Sequence, residues 1–165
     1  MPTQNTAIVL LAVLALLWIL FQQLRAKPVR ERNAYRVTVV LAVVGLYQLA
    51  QVAGKVQIPA TAYAALLIGL GSGAVLGWVR GRLVHVWRQD GQLFRQGNWL
   101  TVVLWIAGLA VHLGLDQVGV ALAPTSQHGA AAAAGLAGIL LYLGVALAAQ
   151  RFATLRRGSL RLQPV

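Results

Sequence analysis

Cysteine is absent from the 165 residues. Disulfides, thiolate metal sites and thiol-redox relays are therefore excluded. Carboxylates are nearly as scarce, the three being Glu31, Asp90 and Asp116. Glu31 sits among arginines as their counter-charge, and Asp90 precedes a glycine in a turn. Only Asp116 is free for other work, so no carboxylate pair exists for acid–base hydrolysis. Walker loops, dinucleotide fingerprints, G-x-S-x-G elbows and zincin helices are also missing. The chain is not expected to be an enzyme, and no catalytic residue, cofactor or metal is assigned.

What the chain has is apolar length. Hydrophobic residues make up 59% and charged residues only 10%, against roughly a quarter charged in soluble domains. Five apolar runs cover about 7–24, 36–53, 60–80, 98–115 and 129–150. About 20 helical residues span a bilayer core. The net charge of +11 is confined to alternate connections. Arg25, Lys27, Arg30, Arg32 and Arg36 follow the first run, Arg80, Arg82, Arg88 and Arg95 the third, and Arg151, Arg156, Arg157 and Arg161 the fifth. Lys55 alone falls on the other side. This is the positive-inside pattern, and it needs no nucleic-acid partner. The first run has its charges behind it rather than before it, unlike a cleaved signal peptide. The expected fold class is an all-α integral membrane protein. It has a single domain (1–165) and five transmembrane helices, N-terminus outside and C-terminus inside. The abundance of Arg, Ala and Gly suits a bacterial inner membrane. Expected partners are the bilayer, anionic lipid at the cytoplasmic face, and another membrane protein or a second copy of the chain.

The stretch 65–97 organises the rest. Gly69, Gly73, Gly77 and Gly81 recur every fourth residue, and Ala65 extends the row. On a helix they form one stripe, which lets two backbones approach closely. The spacing leaves open whether the partner helix belongs to the same chain. Residues 83–97 then read as a cytoplasmic β-hairpin around Asp90-Gly91, the type I′ signal. In that register Trp87 faces Phe94 with His85 and Gln96 on the same side, and Arg95 lies opposite Val86 on the other face. Both aromatics are expected at headgroup level. The basic tail 151–165 alternates over 159–162 and offers a strand for the hairpin edge. Thr125 or Ser126 is the expected cap of the last helix. The connection 118–127 is expected outside, and the run Ala130 to Ala134 with Gly135 and Gly138 favours close packing.

Polar groups inside the apolar runs are the remaining candidates. Tyr47, Gln48 and Gln51 cluster in the second run and are expected to hydrogen-bond a neighbouring helix. Gly108, His112 and Asp116 share a face of the fourth run. His112 and Asp116 lie one turn apart and form a candidate polar or proton site with Gln48 and Gln51. His128 lies on the same side as a potential third ligand.

Gly73, Gly77, Arg80, Gly81, Trp87, Asp90, Gly91, Arg95 and Gly97 together resemble the CcdC-like family of small bacterial membrane proteins. The resemblance implies a multi-pass membrane protein, and the family's name suggests cytochrome c maturation. Without cysteine, a direct thiol-reducing role does not follow. The expected role is an accessory or scaffold protein acting through helix packing and the hairpin. One alternative is a small transporter or channel subunit with a polar path at Gln48, Gln51, His112 and Asp116. Another is haem or metal binding at His112 and His128.

Overall fold

The computed structural model describes residues 24–28 and 35–160. Four long helices dominate: α1 (Arg36–Ala53), α2 (Ala60–Leu83), α3 (Trp99–Ala121) and α4 (His128–Leu160). All four are long and apolar enough to cross a membrane. The expected helix over 7–24 lies outside the described residues, except for Leu24. A three-stranded antiparallel sheet completes the fold, with β1 (Lys27–Pro28), β2 (His85–Gln89) and β3 (Gln92–Gln96) in the order β1-β3-β2.

Glycines fix how the helices meet. On α2, a methyl at Gly73 would strike the Tyr142 ring at 2.8 Å, and one at Gly81 the Gln150 carbonyl oxygen at 2.5 Å. Between them Gly77 lies against the Ala146 carbonyl. The three partners on α4 step by four, as the glycines do, so α2 and α4 run parallel and in register. The same register brings buried Ala62 and Ala65 to the level of buried Ala131 and Ala134. Close approach of this kind permits Cα–H contacts to carbonyl oxygens. The stripe therefore packs within the chain. The expected close packing of 130–138 holds too, with Gly138 against Leu66 and Gly135 against the Asp116 carboxylate.

The other pairings are antiparallel. Gly69 of α2 meets His112 of α3, and Gly119 meets Ala65 and Thr61. Gly45 of α1 meets Leu141, and Gly144 meets Thr38 and Leu41. Successive helices thus alternate in direction. The starts of α1 and α3 and the ends of α2 and α4 share one end of the bundle, where the sheet sits.

The hairpin has the predicted register: His85 opposite Gln96, Val86 opposite Arg95, Trp87 opposite Phe94. Asp90 (φ 49°) and Gly91 (φ 74°) both take positive φ, as a type I′ turn requires. Trp87 and Phe94 stack at 5.8 Å. On the opposite face, Val86 and Leu93 are buried with Val84 against Leu155 of α4. At ~1.5 Å per residue, α4 is about 50 Å long and outreaches a ~30 Å hydrocarbon core. Its last turns form the post that supports the sheet, and Arg157 donates to the carbonyl oxygens of Arg82 and Val84.

Several expected boundaries move. The supposed tail from Arg151 is helical through Leu160, so Ser159 and Leu160 are not a strand, and the rest of the expected strand, 161–162, lies outside the described residues. The hairpin's third strand is β1, from a stretch expected to be a loop, and Gln96 ties the hairpin to it by donating to the Leu24 carbonyl at 3.1 Å. Helix α3 runs on to Ala121, beyond the expected end near 115, and takes in Gln117 and Val118. It begins on Asn98, whose side chain accepts from the Thr101 amide at 2.9 Å. Thr125–Gln127 is one 3-10 turn, and α4 opens at His128, within one residue of the expected start.

This packing separates two glycines on one helix. Gly71 has open space where a side chain would go. Gly77→Ala should lower the thermal midpoint in detergent, by the ~1–3 kcal/mol typical of overpacking, while Gly71→Ala should not. Equal effects at the two sites would show that α2 and α4 do not meet along the stripe.

Candidate functional site

The polar groups that matter sit where α2, α3 and α4 converge. Helix α3 turns Gly108, His112, Asp116 and Gly119 toward its neighbours at helical spacing, and the glycines admit the other two helices. His112 is fully buried, at 0% exposure. Its ring stacks on Tyr142 of α4 with centroids 4.5 Å apart and an interplanar angle of 12°. Its Nε2 lies 3.5 Å from Asp116 Oδ2, too far for a well-formed hydrogen bond. Neither ring nitrogen has a hydrogen-bond partner. Nδ1 points at Gly69, where any Cβ would come within 2.8 Å.

The string continues toward the sheet. The Tyr142 hydroxyl lies against Gly108 and feels the charge of the Arg80 guanidinium. Arg80 is buried, and its Nε lacks a partner. So is Gln150, whose Oε1 is likewise unpartnered. Thr154 is satisfied locally, its hydroxyl donating to the Gln150 carbonyl at 2.8 Å. Asp116, His112, Tyr142 and Arg80 thus form a line of ionisable side chains inside an otherwise small, apolar core, and Gln150 is a further buried polar group nearer the sheet. Such groups are costly in hydrocarbon. An unsatisfied buried polar atom is uncommon in a native fold and calls for an explanation.

The structure keeps one expected pair and parts the others. His112 and Asp116 are adjacent. Because α3 reaches Ala121, Asp116 lies about 7 Å inside its end at ~1.5 Å per residue, not beyond it. Tyr47, Gln48 and Gln51 are exposed on α1 and do not join the line. His128 Nε2 sits 3.0 Å from the Ala123 carbonyl oxygen. No group of three His, Asp or Glu suited to a metal occurs among the described residues. Tyr142, Arg80 and Gln150 were not singled out from the sequence as site residues. Tyr142 and Gln150 are isolated polar-tipped residues in the run 129–150, which was the available signal. Arg80 was hidden among charges that topology alone explains.

If the imidazole has no partner, an apolar side chain of similar size should serve the fold as well. His112→Leu should leave the thermal midpoint unchanged or raise it. A loss above ~2 kcal/mol would show that the ring is hydrogen-bonded through internal water. No family model, curated protein or solved structure matches the chain.

Proposed function

We propose that the chain is a non-enzymatic accessory or scaffold protein of the bacterial inner membrane. It has five transmembrane helices, residues 7–24 forming the first, with the N-terminus outside and the sheet in the cytoplasm. The alternation of helix directions supports this orientation. It gathers Lys27, Arg36, Arg80, Arg82, Arg88, Arg95, Arg151, Arg156 and Arg157 at the sheet end and leaves Lys55 at the other, as the positive-inside rule demands. The CcdC-like resemblance is compatible with a membrane protein of this size, and its residues at 73–97 span the α2 end and the hairpin.

The observation that carries the scaffold reading is the exposure of α1. Val37, Val40, Val44, Tyr47 and Gln51 are all exposed at alternating three- and four-residue spacing. That row is a seam for another helix, with Tyr47 and Gln51 as polar glue. The glycine stripe of α2 is occupied internally, whereas this row on α1 has no neighbour among the described residues. A transporter would draw Gln48 and Gln51 toward His112 and Asp116, and they diverge. A second reading has its own observation: the unpartnered buried imidazole beside Asp116 favours a proton-responsive core at His112, Asp116 and Tyr142.

Reporter fusions at Lys27, Asp90 and Val165 should read cytoplasm, and those at Lys55 and Ser126 should read outside. An outside signal at Val165 would remove the five-helix topology. Because the chain has no cysteine, single substitutions report cleanly on the seam. Val44→Cys and Tyr47→Cys should cross-link in membranes to a second polypeptide, while Gly71→Cys should not. Equal cross-linking at all three positions would sink the scaffold reading.

A further inference from the structure

We infer that the space between the inner face of the sheet and α4 is an anion site that takes the phosphate of an acidic phospholipid headgroup, held by Arg95, Arg151 and Lys27. Residues directly opposite in a ladder share a face. Lys27 is opposite Arg95, and Arg95 opposite Val86, so both cations point the same way as Val86. That is the face on which Val86 and Leu93 are buried against Leu155, with Leu93 also meeting Gly158. Arg151 lies one turn before Leu155 and acts on Arg95 through its charge. Two half-buried guanidiniums and a half-buried ammonium are thereby gathered on the α4 side of the sheet.

No carboxylate serves them among the described residues. Asp90 is at the hairpin tip, and Asp116 lies inside α3, four residues beyond His112. Burial pushes the Arg95 guanidinium down to about 10, and Arg151 pushes it the same way. Below that value two neighbouring cations lie together with no carboxylate partner among the described residues, an arrangement that a bound anion relieves. Phosphate fits best, because a planar guanidinium binds its oxygens in pairs.

Depth identifies the source. Counted from His128 at ~1.5 Å per residue, Arg151 stands about 35 Å along α4, just past a ~30 Å hydrocarbon core. That is the level of lipid phosphates. The proposed orientation decides only which leaflet supplies them, so this inference rests on it for the cytoplasmic leaflet alone.

The test uses the full chain in neutral-detergent micelles doped with phosphatidylglycerol or phosphatidylcholine, reading the thermal midpoint against lipid content. Micelles have no sides, so failure here is separate from failure of the reporter fusions. Phosphatidylglycerol should raise the midpoint and phosphatidylcholine should not. Arg95→Gln with Arg151→Gln should weaken the apparent affinity roughly tenfold. Arg36→Gln, an exposed cation at the same end, should not. Arg95→Gln alone removes a repulsion and should fold at least as well as wild type, which keeps the comparison interpretable. Equal loss in Arg36→Gln, or no preference between the lipids, would overturn the site. An equal rise with inorganic phosphate at matched ionic strength would overturn the lipid as its source.

Discussion

Where α2 passes α4, Gly77 lies against the carbonyl of Ala146 and Gly81 against that of Gln150 one turn on, while one turn back Gly73 admits the Tyr142 ring. A contact between backbones leaves no slack. Any side chain at Gly73, Gly77 or Gly81 would push against α4, and α4 carries much of the rest. It brings Tyr142 onto His112, Leu141 onto Gly45 of α1, and Leu155 and Gly158 under the sheet. Helix association in lipid lacks the hydrophobic drive available in water. Van der Waals contact and Cα–H interactions along this parallel pair must therefore supply much of the attraction. Parallel neighbours cannot be joined by a short turn. Helix α3 is the return leg that makes the pair possible, and it reaches the same stripe where His112 meets Gly69 and Gly119 meets Ala65.

The tightness of that contact makes the polar groups beside it noteworthy. His112 sits where α2 offers only a glycine, and its ring fills the gap that Gly69 leaves. Packing alone is satisfied by Leu or Phe at that position, which fill space without desolvating two nitrogens. The same holds for Gln150, whose backbone carbonyl meets Gly81 while its side-chain oxygen stays unpartnered. Stability alone gives no reason for such residues, because a buried polar group without a partner costs free energy. The polar groups from Asp116 to Gln150 are thus the part of the fold least explained by folding.

The glycine stripe was legible because its period matches the helix and nothing else in the run competes with it. The hairpin was legible to the residue, since Asp90-Gly91 admits one turn type and that type fixes the register of Trp87 and Phe94. What escaped has physical reasons. A strand as short as Lys27–Pro28 has no periodicity, and it exists only because β3 offers an edge. The end of α4 was placed too early because charges at Arg151, Arg156 and Arg157 read as a departure from the membrane. Departure from the membrane does not end a helix when the sheet waits to be packed. Among the site residues, His112 and Asp116 stand out in an apolar run. Gln48 and Gln51 stand out equally, and a single sequence does not say which helix face is inward. The wrong grouping arose there. Tyr142 is the partner that matters most, and only tertiary packing brings it to His112.

The two ends of the bundle are physically unlike, and the difference follows from helix length. Helices α2 and α3 are matched to a bilayer, whereas α4 overshoots at one end only. The overshoot bears three basic residues, Arg151, Arg156 and Arg157, beside an apolar strip, Leu155 with Gly158, and Arg151 lies one turn before Leu155 on the same side. A sheet resting on that strip must bring its own inner-face residues down beside the basic ones. The face that carries Val86 and Leu93 also carries Arg95 and Lys27, since alternation allows no other choice. Seating the sheet and crowding the cations are therefore one event. Any change that improves the apolar contact at Leu155 draws Arg95 closer to Arg151, and an anion at that point stabilises both.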